Sequence, residues 1–135
     1  HCQRDSIVKR ATHRLKRGRE SVLNEMVEDI GLLEPRHLFE AAEKGDELAI
    51  QVWQEVGHYL GVGVGNAINT FAPDVVAIGG QIANAGNWLL DPVRFAARDV
   101  AIPSLFEHAK IVHAELGDDA GMLGGAALAL QTLTD

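Results

Sequence analysis

An α/β fold, rich in helix and carrying a short parallel sheet, is what this sequence predicts. Three observations point there. A long stretch with Ile50, Trp53, Leu60, Val64, Ala67, Ile68 and Phe71 at helical spacing closes at Pro73. A continuous apolar run, Val75-Val76-Ala77-Ile78, follows it and stops at Gly79-Gly80, the pattern of a strand buried on both faces of a parallel sheet. A second candidate strand, Ile111–Leu116, is separated from the first by a helical stretch, and two such strands form a right-handed βαβ crossover. With 135 residues, 47% of them apolar, the chain can bury one core but not two.

The elements follow in order. Arg4 to Arg19 places Ile7, Val8, Ala11 and Leu15 on one side of an amphipathic helix, with basic side chains on the outer faces. Ser21 is placed to cap a short helix over Val22–Asp29, Gly31 breaks it, and Pro35 suits the first turn of another helix over 35–43. Lys44-Gly45-Asp46 ends that helix, and Asp46 caps the long one. Gly57, Gly61 and Gly65 fall four apart on a single face of the long helix. Each costs a helix interior about 1 kcal/mol relative to Ala, so another backbone is expected to approach that stripe, with packing of the helix on the sheet as the expected cause and direct approach of a ligand as the alternative. Beyond Gly80, a helix is predicted from about Asn87 with Pro92 in its early turns, then a break at Pro103, a helical turn around Ser104–Glu107, the second strand, and a terminal helix over Ala120–Leu133. Residues 1–45 thus read as a helical segment and 46–135 as the long helix plus a βαβα unit, together a single partial domain. Two strands make a poor sheet, so further strands are expected from outside this chain.

Charge is unevenly spread. Residues 1–19 hold seven Lys/Arg against Asp5 alone, although the whole chain carries a net charge of −7. Without interleaved aromatic residues or a reading motif, the basic helix reads as a solvated face rather than a nucleic-acid contact. No stretch reaches the length of a membrane span. Cys2 is the single cysteine, which excludes an internal disulfide framework and suits a reducing cytoplasm.

In parallel α/β sheets ligands lie beyond the carboxyl ends of strands, where backbone N–H groups meet anions. Gly79 and Gly80 occupy that place, and Gln81 and Asn84 can add hydrogen bonds; these four are the candidate nucleotide-binding residues. A plain tight connection remains the alternative. The segment is neither a P-loop nor a G-x-G-x-x-G fingerprint. Asp118-Asp119 suit the N-terminus of a helix better than a metal or base pair. The six histidines, His1, His13, His37, His58, His108 and His113, form no zinc motif, and neither G-x-S-x-G nor a base beside Cys2 is present.

From about Ile7 onward the order of these pieces resembles the ROK family, the sugar kinases and repressors built on the actin-like ATPase (ribonuclease H-like) fold. Three segments carry the resemblance: Gly61-Val62-Gly63-Val64-Gly65-Asn66-Ala67-Ile68-Asn69, Pro73–Ile82, and Ala114–Ala127. It implies the C-terminal part of such a domain, with Gly79, Gly80 and Gln81 in the adenosine-side segment and Gly117–Gly125 as a closing loop and helix. It implies ATP and magnesium as cofactors of a longer parent, with nucleotide and hexose as ligands, in a homo-oligomer. The family's phosphate loop, its Asn-Asp pair with the general base, and its Glu-x-Gly-His sugar-and-zinc segment do not occur here. Nor does its cysteine-rich zinc motif, so zinc belongs at most to the parent. No catalytic or metal-binding residue is assigned, and this chain alone is expected to be inactive. The leading expectation is a glucokinase-like sugar kinase. The alternatives are a sugar-responsive repressor, which would contact DNA only through a helix-turn-helix upstream, and an interaction module in which the glycine-striped helix serves oligomer contacts.

Overall fold

A computed structural model describes residues 2–79, 85–114 and 128–131 of the chain. The elements run α1 (Cys2–Lys16), α2 (Leu23–Met26), a 3-10 turn (Ile30–Leu32), α3 (Pro35–Glu43), α4 (Glu47–Phe71), β1 (Val75–Ile78), α5 (Asn87–Val100), α6 (Pro103–His108), β2 (Lys110–His113) and β3 (Leu128–Gln131).

Capping chemistry sets most of these boundaries. Asp46 accepts a hydrogen bond from the Ala49 N–H at 3.0 Å and so starts α4, while its carboxylate also receives the Ser21 hydroxyl at 2.8 Å and the Val22 N–H at 3.2 Å. Ser21 therefore links the start of α2 to the start of α4. It accepts from the Leu23 N–H, and the helix after it stops at Met26 rather than reaching Asp29. Glu34 and His37 form a reciprocal capping box ahead of α3, whose first residue is Pro35. α4 ends where Ala72 turns left-handed at φ 47°, and the chain reverses into β1.

The glycine stripe does admit another backbone, but a helix rather than the sheet. A Cβ on Gly57 would lie 2.7 Å from the Pro92 ring, one on Gly61 2.5 Å from the Val93 carbonyl oxygen, and one on Gly65 2.7 Å from the Val100 side chain. The contacts climb both helices together, so α4 and α5 run in the same direction with their backbones pressed close. Their far ends are pinned by Asn69, which donates to the Val100 carbonyl and accepts the Ile102 N–H at 2.7 Å. The expectation of helix-to-sheet packing is corrected accordingly: α5 fits the groove because Val93, Ala96 and Ala97 are small enough to let its carbonyls reach α4.

β1 is the middle strand of a three-stranded sheet in the order β2-β1-β3. It pairs in parallel with β2, Val76 opposite Ile111, and antiparallel with β3, Val76 opposite Leu130. The second correction lies here. The expected helix over Ala120–Leu133 gives way at Leu128–Gln131 to a strand, which satisfies the backbone groups along the edge of β1 that a two-stranded sheet would leave unpaired. The rest of that predicted helix lies outside the described residues.

Below the sheet and helices sits one apolar cluster in which Ile7, Leu23, Leu38, Leu48, Val52, Trp53, Val64, Ile68, Val76, Ile78 and Leu89 are fully buried. Each such aliphatic side chain is worth roughly 1.5–3 kcal/mol of burial. α1 joins it through Ile7, Ala11 and Leu15, as its periodicity predicts, and is held laterally by charge. Arg14 donates to Glu55 of α4 at 2.6 Å and Arg10 to the same carboxylate at 3.1 Å, while the Arg10 guanidinium lies 4.8 Å from the Tyr59 ring centre. Partial burial pushes the Glu55 carboxyl upward, but hydrogen bonds and attraction from Arg14 and then Arg10 outweigh it, so its pKa falls below the ordinary 4.5.

Two outcomes follow from these contacts. Gly61→Ala should lower the urea midpoint by the equivalent of about 1–3 kcal/mol through overpacking, whereas Gly63→Ala, whose added carbon meets nothing within 4 Å, should raise stability by up to about 1 kcal/mol. A depressed carboxylate pKa stabilises the fold above the unfolded value and loses that effect as pH drops. Glu55→Gln should therefore cost about 0.5–1 kcal/mol at pH 7, discounted because the side chain is 37% exposed. That deficit should close as the pH falls below 4.5, which thermal unfolding across pH 3–7 will read.

Candidate functional site

Because α4 and α5 run in parallel, their N-termini share one end of the molecule. β1 starts beside their C-terminal ends, where the Lys110 N–H meets the Asp74 carbonyl at 2.8 Å, and so it points its carboxyl end back toward their starts. Gly79, buried, stands at that carboxyl end. Of the four predicted site residues it alone falls within the described structure; Gly80, Gln81 and Asn84 lie outside it, as do Asp118, Asp119 and Gly117–Gly125.

Ala85 and Gly86 lead into α5. Gly86 takes φ 61° with ψ −128°, a conformation that a side chain would strain, and its carbonyl accepts the Leu89 and Leu90 N–H groups to open α5. Across from this turn is the end of α3, brought to the same side because Gly45, at φ 85°, folds the chain straight from α3 into α4. Between them lies a cleft of about 500 Å³, lined by Phe39 and Glu43 of α3, by Ala85 and Gly86, and by Asn87, Trp88 and Asp91 of α5. That volume is within the range of small-molecule sites.

Two features give the cleft its chemistry. The Trp88 indole N–H donates to the Glu43 carboxylate at 2.6 Å, so a hydrogen bond bridges α3 to α5 across the opening. Its ionisable lining is acidic, Glu43 and Asp91, with no Lys, Arg or His among the lining residues. Asp91 faces Arg94 at 3.5 Å, and Arg94 in turn donates to the Ile111 carbonyl at 3.0 Å, tying α5 to β2. Such a lining repels phosphate and accepts hydrogen bonds from hydroxyl or amino groups, while Phe39, Ala85 and the Trp88 ring offer apolar contact. These residues were not singled out from the sequence. The available signal was an aromatic residue two positions past the glycine of a strand-to-helix turn; nothing local relates it to Glu43, 45 residues away.

Elsewhere, His58 is an exposed residue on α4, its ring edge-on to Tyr59 at 5.8 Å. Among the described residues no three His, Cys, Asp or Glu side chains gather as metal ligands would, and no helix is long and apolar enough to cross a membrane.

A family model matches residues 11–132, that of the ROK family. The chain belongs to the ROK family. A glucokinase of Halalkalibacterium halodurans is 33% identical over 125 residues, covering 93% of this ROK chain and 38% of the glucokinase. The DNA-binding transcriptional dual regulator NagC of Escherichia coli K12 is 35% identical over 88 residues, 65% of this chain and 21% of that protein. Among solved structures, a ROK family glucokinase from Streptomyces griseus in complex with glucose and AMPPNP superposes with a TM-score of 0.75 at 28% identity, covering 87% of this chain and 39% of that one. The fold is thus the actin-like ATPase fold of the ROK sugar kinases, and the chain spans well under half the length of these relatives.

Proposed function

We propose that this chain is the nucleotide-facing C-terminal part of a ROK sugar kinase whose full-length form transfers the γ-phosphoryl group of ATP to a hexose hydroxyl in the cytoplasm. The observation that carries this reading is the cleft at the Gly86 turn and the start of α5, the helix that follows β1 and buried Gly79 in the chain. The similarity to glucokinases, one of them solved with glucose and an ATP analogue, supports the choice of substrates.

Phosphoryl transfer depends on positioning and electrostatic stabilisation of the moving group. In this reading the chain supplies one wall: Gly79 with Gly80, Gln81 and Asn84 on the nucleotide side, and the apolar and acidic cleft for the end of the nucleotide remote from the phosphates. Magnesium would ride on the phosphates, neutralising their charge, as it does when held chiefly through substrate oxygens. The general base and the sugar contacts fall to residues outside the chain.

The similarity to NagC favours one second reading, an effector part of a ROK repressor. A coupled assay of the full-length gene product with Mg-ATP and a panel of hexoses separates the two. A kinase will release ADP and sugar phosphate in equal amounts. Absence of ADP release, together with sugar-sensitive retardation of operator DNA on a gel, would establish the repressor instead.

A further inference from the structure

We propose that Glu43, held in place by Trp88, reads the ribose hydroxyls of the bound nucleotide and makes the site selective for ribonucleotides; this rests on the nucleotide reading above. A carboxylate only accepts hydrogen bonds, so whatever it binds must donate. On a nucleotide the donors are the ribose hydroxyls and base amino groups, whereas the phosphates are acceptors and are repelled by Glu43 and Asp91 alike. The apolar surfaces of Phe39, Ala85 and the Trp88 ring suit the base, which leaves the sugar for the carboxylate.

Of the two acids in the cleft, Asp91 has Arg94 beside it at 3.5 Å. Glu43 gives one oxygen, Oε2, to the Trp88 indole at 2.6 Å, and that bond orients the other. Glu43 ends α3 on an exposed position, where an unheld glutamate would sample many rotamers and recognise little. The indole removes that freedom before the ligand arrives, so less ordering entropy opposes binding. Trp88 is thereby a positioning residue and Glu43 the group that touches the ligand.

Calorimetry on the full-length gene product tests this with ATP, 2′-deoxy-ATP and 3′-deoxy-ATP. The wild-type protein should bind ATP about tenfold more tightly than at least one of the deoxynucleotides, the scale of one hydrogen bond to a charged acceptor. Glu43→Ala, placed at an exposed helical position where Ala is well tolerated, should weaken ATP about tenfold and leave that deoxynucleotide unchanged. Trp88→Phe, which keeps a ring but removes the N–H, should reduce the discrimination to an intermediate ratio. Equal affinities of the wild type for all three nucleotides, or discrimination that survives both substitutions, overturns the assignment while leaving the nucleotide reading intact. Failure to bind any adenine nucleotide removes both.

Discussion

The close approach of α5 to the glycine face of α4 governs the architecture. Glycine gives up about 1 kcal/mol of helix propensity at each of the three stripe positions, and the return is contact between main chains that any side chain would hold apart. Val93, Ala96 and Val100 fill the groove so closely that a single added carbon finds no room. The two helices are thereby fixed in direction, spacing and stagger. With α4 carrying α3 at its start, two separate chain segments, the end of α3 and the start of α5 with its Gly86 turn, converge at one place. The cleft is a by-product of that convergence.

The cleft's electrostatics select by chemistry. Its acidic lining disfavours phosphate and accepts hydrogen bonds, while Phe39, Ala85 and the Trp88 ring offer apolar contact beside the carboxylates. A ligand that joins an apolar ring to hydroxyl or amino donors fits such a lining. The chain is similar both to a glucokinase and to the DNA-binding regulator NagC, so proteins named for both kinds of work share this framework.

Most elements were legible in the sequence because they rest on local rules. Pro35 at a first helical turn, Asp46 as a cap, the periodicity of Ile7, Ala11 and Leu15, and the four apolar residues of β1 each act within a few positions of themselves, and α3, α4 and β1 lie where those rules put them. Misreadings arose where a distant partner decides. The glycine stripe announced a close neighbour but not which one, since helix and sheet ask the same of a glycine. Leu128–Gln131 is helix-forming by composition yet pairs with β1. The short α2 ends at Met26 because Val27 turns extended, at φ −130° and ψ 146°, and Ser21, read as its cap, instead ties its start to Asp46. The cleft itself was not legible, for neither Glu43 nor Trp88 stands out in the sequence. Their meeting is a tertiary event with no local trace.

The interlocked helix pair also constrains how the sequence can drift. Because Gly57 and Gly65 first meet the side chains of Pro92 and Val100, a larger residue at 57 or 65 calls for a smaller one at 92 or 100, whereas Gly61 meets the Val93 carbonyl oxygen and no smaller side chain makes room there. Relatives of this chain should therefore vary at 57 and 65 in step with 92 and 100, keep glycine at 61, and diverge freely at 63 on the open face.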